Sequence, residues 1–124
     1  IVGALKSELN ADLMPGSPPY GDAFEHFCLL EIKRLLSYRR REARLSFFRT
    51  SDGAEVDLIL EMKNQLWAIE IKSSSNPKPA DLRGLKSFIK DHPYHRAICL
   101  CQTPRPYSLD KIEVLPWKDF MPNL

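Results

Sequence analysis

The chain has 124 residues, 44% of them apolar, a formal net charge of +2 and a pI near 8.5. These totals describe one domain with a small core and exclude an apolar run long enough to span a membrane. The mildly basic balance permits a nucleic-acid partner without requiring one. Three cysteines, Cys28, Cys99 and Cys101, fall in apolar runs. An odd count of such thiols points to a reduced, cytoplasmic protein, and the start lacks the charged-then-apolar pattern of a signal peptide. Neither Cys99-Leu100-Cys101 nor the three histidines have zinc-ligand spacing, and there is no P-loop motif.

Residues 1–20 are weakly patterned. Ala4 to Leu9 could form a helical turn, and Pro15-Gly16-Ser17-Pro18-Pro19 reads as a loop. This stretch is expected to be a linker or the tail of a preceding segment, with the domain occupying 21–124. Tyr20-Gly21-Asp22 opens a helix running to about Tyr38, with Asp22 as N-cap and Glu25 completing a capping box. Phe24, Phe27, Cys28 and Leu35, widened by Ile32 and Leu36, form its apolar stripe. Arg39, Arg40, Arg41 and Arg44 follow as the densest basic cluster. They are either a solvated helix end or a set of phosphate contacts.

Leu45 to Thr50 reads as a strand, and Ser51-Asp52-Gly53 as a turn. Glu55 to Ser74 then holds two alternating runs joined by a short polar segment, the pattern of a β-hairpin. A two-residue Lys63-Asn64 loop sets Val56 against Ile71, Leu58 against Ile69 and Leu60 against Trp67, so that one face is wholly apolar. The same register opposes Glu55 to Lys72 and Asp57 to Glu70. Two carboxylates about 5 Å apart repel each other, and a divalent cation would offset that. Hard oxygen donors suit Mg²⁺ or Mn²⁺. After a Ser/Pro-rich loop, Ala80 to Asp91 reads as a second helix. Ala97 to Cys101 reads as a strand buried on both faces, Lys111 to Leu115 as a last strand, and Pro116 to Met121 as a final helical turn. The strand–helix–strand after Lys72 is long enough for a parallel crossover, so the fold class is α/β with a mixed sheet.

An acidic strand, a hairpin and then Ala68-Ile69-Glu70-Ile71-Lys72-Ser73 together resemble the PD-(D/E)XK nuclease superfamily. The order of elements resembles the α-β-β-β-α-β core of the restriction-endonuclease-like fold, with helices flanking the sheet. Gly21…Phe24-Glu25, Arg49-Thr50…Asp52-Gly53…Glu55-Val56-Asp57, the lysine strand and the ending Val114-Leu115-Pro116-Trp117 look like a prokaryotic domain of unknown function. That domain usually sits C-terminal to an AAA-type ATPase, so the resemblance implies an ATPase domain upstream of Ile1. It further implies a Mg²⁺-dependent hydrolase of phosphodiesters, acting on DNA ahead of RNA. Asp57, Glu70 and the Ile71 carbonyl would hold the metal, with Glu25 as an accessory ligand. Lys72 would orient or deprotonate water and stabilise the developing charge. Ser73 joins Arg39, Arg40, Arg41 and Arg44 as a candidate nucleic-acid contact. Val56 stands where the motif often has proline. Two other readings use the same residues: a catalytically silent module that docks nucleic acid or protein for an ATPase, and a purely structural oligomerisation domain. Oligomeric state is not encoded in any motif.

Overall fold

A computed structural model of the chain describes residues 18–40 and 42–124. Among these residues the order is helix α1 (Pro18–Tyr38), strands β1 (Arg44–Arg49), β2 (Glu55–Met62) and β3 (Gln65–Ile71), a 3₁₀ turn at Pro79–Leu82, and helix α2 (Arg83–Asp91). Strands β4 (Arg96–Cys101), β5 (Tyr107–Leu109) and β6 (Ile112–Pro116) follow, then helix α3 (Trp117–Phe120). The six strands form one mixed sheet in the order β1-β2-β3-β4-β6-β5. β1, β2 and β3 are antiparallel to one another, β3, β4 and β6 are parallel, and β5 closes the far edge antiparallel to β6.

The parallel centre is where burial is deepest, as a strand covered on both faces requires. Helix α1 packs Phe24, Phe27, Cys28, Ile32 and Leu36 against Leu58, Leu60, Ile69, Ile71, Ile98 and Leu100 on one face of the sheet. Helix α2 packs Leu82, Leu85 and Phe88 against Val56, Ile59, Ala68, Ala97 and Cys99 on the other. Each fully buried aliphatic side chain in these layers stabilises the fold by about 1.5–3 kcal/mol. Trp117 seals one end, its ring edge-on to Phe24 and Phe27 at 6.0 and 5.4 Å.

The hairpin turn is as the alternation predicts. Met62 pairs with Gln65, Leu60 with Trp67 and Leu58 with Ile69. Lys63 and Asn64 both take positive φ, 51° and 63°, as a two-residue turn matched to strand twist demands.

Beyond Leu58 the expected register fails, and a bulge is the reason. Across β1 and β2, Ser46 pairs with Ile59 and Phe48 with Val56, so that Phe47 alone faces both Asp57 and Leu58. The extra residue in β2 reverses the side-chain alternation. Val56 therefore joins the α2 face with Ile59, while Leu58 and Leu60 lie on the α1 face. Val56 is thus not on one face with Leu58, Leu60 and Ile71, as unbroken alternation had it. Nor does Glu55 pair with Lys72. Glu55 instead bonds Arg49 at 2.9 Å, and the Lys72 amide donates to the Leu100 carbonyl.

Other boundaries also shift. Helix α1 includes Pro18 and Pro19, whose missing amide hydrogens are tolerated in a first turn, so it starts before the domain boundary read at 21. Asp22 then lies within the helix and is not its N-cap, which removes the capping box as the role of Glu25. Strand β5 has no counterpart among the expected elements. The expected turn over Ala4 to Leu9, most of the 1–20 segment and Arg41 lie outside the described residues. No described helix is long and apolar enough to cross a membrane.

Candidate functional site

The bulge parts β2 from β3, leaving backbone groups there without ladder partners. Two carboxylates fill the gap. The Ile71 amide donates to Asp57 Oδ2 at 2.8 Å, and the Asp57 amide donates to Glu70 Oε1 at 3.2 Å. Buried amides must find acceptors, so the acidic side chains hold the sheet together where the strands diverge. The N–H and C=O of a strand residue leave the backbone on the same side, so the Ile71 carbonyl is directed toward this same gap.

Around it lies a cleft of about 300 Å³, lined by Glu25 from α1, Asp57, Glu70, Lys72, Asp81 from the 3₁₀ turn, and Arg83 and Gly84 at the start of α2. Glu70 is only 5% exposed. Burial pushes its carboxyl up to about 9, with the Asp57 carboxylate adding to the rise and Lys72 opposing it. Glu25 is pushed up to about 7, first by desolvation and then by Asp57. Lys72 Nζ lies 3.9 Å from Glu70 Oε2, and Arg83 is a second cation on the lining. Burial first, and Asp57 second, thus favour the protonated forms of Glu25 and Glu70 against the opposing pull of Lys72.

Four of the sequence-derived site residues, Glu25, Asp57, Glu70 and Lys72, thus come together, with the Ile71 backbone beside them. Ser73 lies just past β3, where its carbonyl accepts from Gln102 Nε2 at 2.8 Å. The same Gln102 amide donates to the Tyr20 hydroxyl at 2.9 Å, tying α1 to this loop. The described arginines of the basic cluster do not join the cleft. Arg39 donates to the Pro122 carbonyl at 2.9 Å, Arg40 is exposed, and Arg44 pairs in register with Glu61. Four residues along β2 separate Glu61 from Asp57, about 13 Å.

Sequence reasoning missed Arg83 and Gly84. The available signal was an isolated glycine within an amphipathic helical pattern, which marks a close approach. A Cβ at Gly84 would lie 1.8 Å from the Glu55 carbonyl oxygen, so only glycine lets α2 rest on the backbone of β2. That contact puts Arg83 on the cleft wall.

A family model matches residues 20–120. The chain belongs to the DUF4143 family, a domain of unknown function. No curated protein matches it. The match spans all the residues that line the cleft, from Glu25 to Gly84.

Among the described residues, no three His, Cys, Asp or Glu side chains are grouped as a ready-made metal site. The donor set nevertheless fits a hard cation. Asp57 and Glu70 offer carboxylate oxygens across the gap, the Ile71 carbonyl is directed to it, and Glu25 lies at its rim. All are oxygen donors, the set preferred by Mg²⁺ and Mn²⁺.

Proposed function

We propose that this DUF4143 domain is a metal-dependent, nuclease-like domain of the PD-(D/E)XK type that hydrolyses phosphodiester bonds in nucleic acid. In this reading its sheet and helices α1 and α2 correspond to the restriction-endonuclease-like core. The domain serves as the C-terminal part of a longer, ATPase-linked protein. The observation that carries the reading is the pair Asp57 and Glu70 on strands that diverge at a bulge, with Lys72 beside them.

Asp57, Glu70 and the Ile71 carbonyl would hold Mg²⁺, with Glu25 at the rim. The chemistry a bound Mg²⁺ supplies is a water of lowered pKa and neutralisation of phosphate charge. The chain's own groups do the rest. Lys72, half-buried, brings a positive charge next to the carboxylates, where a pentavalent phosphorus develops negative charge. Arg83 on the opposite wall can hold a phosphate oxygen by a bidentate contact. The polar lining orients water and phosphate.

The test is cleavage of labelled DNA and RNA in Mg²⁺ by wild type, Asp57→Asn and Lys72→Ala. The Asn side-chain oxygen still accepts from the Ile71 amide, so Asp57→Asn separates chemistry from folding. Loss of cleavage in both folded variants is expected. Full cleavage by either ends the assignment. The silent docking module is the second reading. It is favoured by the protonation of Glu70 that burial imposes, and it predicts nucleic-acid binding with no Mg²⁺-dependent cleavage by wild type.

A further inference from the structure

We infer that Phe47 is a base-stacking platform beside the cleft, and that the substrate presents an unpaired base there, as single-stranded nucleic acid does. The inference rests on the nucleic-acid reading above and names the substrate class for that site.

Phe47 is 72% exposed, an uncommon state for phenylalanine in mid-strand. Its position is more telling than its exposure. β1 is the edge of the sheet, and Phe47 is the residue that faces the Asp57–Leu58 bulge. Directly opposed strand residues stand about 5 Å apart, so Phe47 sits on the strand next to Asp57, across from the bulge that carries it. The bulge lies in β2, so alternation along β1 is intact. Leu45 packs toward α1 and Phe48 toward α2, which puts Phe47 on the α1 face with Arg49. Arg49 lies two residues on, about 7 Å along the strand. Its side chain is 65% exposed and is steered by Glu55, a residue lining the cleft. Arg44, at the other end of the strand, alternates onto the α2 face with Phe48.

An exposed ring with Arg49 on the same face of the strand matches a chain of phosphates bearing free bases. The ring takes the face of any base, and the Arg49 guanidinium takes the backbone. A paired duplex base has both faces covered by its neighbours and could not use the ring without being extruded. The alternative partner for an edge strand is another strand, but the cationic ends of β1, Arg44 and Arg49, discourage such pairing.

The experiment measures binding of a labelled oligothymidylate of about 12 nucleotides by anisotropy, in EDTA so that no cleavage intervenes. A duplex of the same length and an abasic strand serve as comparisons. Wild type is expected to prefer the oligothymidylate over both. Phe47→Ala should weaken that binding roughly 5- to 150-fold while leaving the abasic strand unchanged, and Phe47→Tyr should restore it. Phe47 is exposed, so the alanine variant folds normally. A change within about twofold on Phe47→Ala, a preference for duplex, or no binding at all would overturn the inference. Cleavage that depends on Asp57 but not on Phe47 refutes the platform alone. Phe47-dependent binding with no cleavage in Mg²⁺ refutes the hydrolytic reading alone.

Discussion

Replacing Gly84 by alanine tests the contact that shapes the cleft. The added Cβ would meet the Glu55 carbonyl oxygen at 1.8 Å, its carbon at 2.7 Å and its nitrogen at 2.8 Å. Even the tightest contacts of real side chains stay near 3.0 Å, so α2 must retreat by about 1.2 Å. Both sides of the contact are backbone, and no rotamer can absorb the clash. The retreat would loosen Leu82, Leu85 and Phe88 from Val56 and Ile59. Overpacking costs about 1–3 kcal/mol, and the rigidity here puts it at the upper end. Alanine returns up to about 1 kcal/mol of helix propensity. The net loss is about 2 kcal/mol, or roughly 6–10 °C in Tm for a domain of this size. Urea and thermal unfolding followed by circular dichroism measure it. A variant as stable as wild type, or more stable as propensity alone requires, would refute the contact. Arg83 would move with the helix, so Gly84→Ala should also weaken any activity of the cleft.

The acidic cleft makes stability depend on pH. In the folded chain Glu70 keeps its proton up to about 9 and Glu25 up to about 7, against an ordinary value of 4.5. Between those limits the folded state binds more protons than the unfolded one, so stability should fall as pH rises from about 5 to about 9 in EDTA. Glu70→Gln should flatten that slope, and an unchanged slope would contradict the burial of Glu70 as its source. Asp57→Ala should cost about 1–3 kcal/mol by orphaning the Ile71 amide, and Asp57→Asn much less, as denaturant titration of the two variants would register. At the hairpin, Lys63→Asn together with Asn64→Gly should raise stability by up to about 1 kcal/mol, because both positions have positive φ. A loss would show that the Lys63 side chain contributes more than its backbone geometry.

The antiparallel hairpin, the long first helix and the buried β4 were legible because each is a sustained period: two in β2 and β3, helical in α1, continuous apolar in β4. That Asp57 and Glu70 come close was legible too, although they meet through the Asp57 amide and Glu70 Oε1 and not as a ladder pair. What alternation could not reveal is the bulge, since Val56, Leu58 and Leu60 alternate in sequence whether or not the backbone does. Strand β5 was hidden by its length of three residues and by Pro104 and Pro106 before it. It forms because β6 enters the sheet beside β4 and its outer edge then pairs with the chain that precedes it. The basic cluster was visible as a run of arginines, but its distance from the carboxylates depends on which end of β2 faces it.

The bulge is one residue of extra contour in β2, and that residue alone makes an open end out of what would otherwise be a closed sheet. A chain shortened by one position at Asp57 or Leu58 would restore a single reading frame of side chains along β2. The ladder to β3 could then run on toward Ile71, with amides meeting carbonyls and no gap for carboxylates to fill. Continuity of the sheet and existence of the cleft are therefore alternatives separated by one codon.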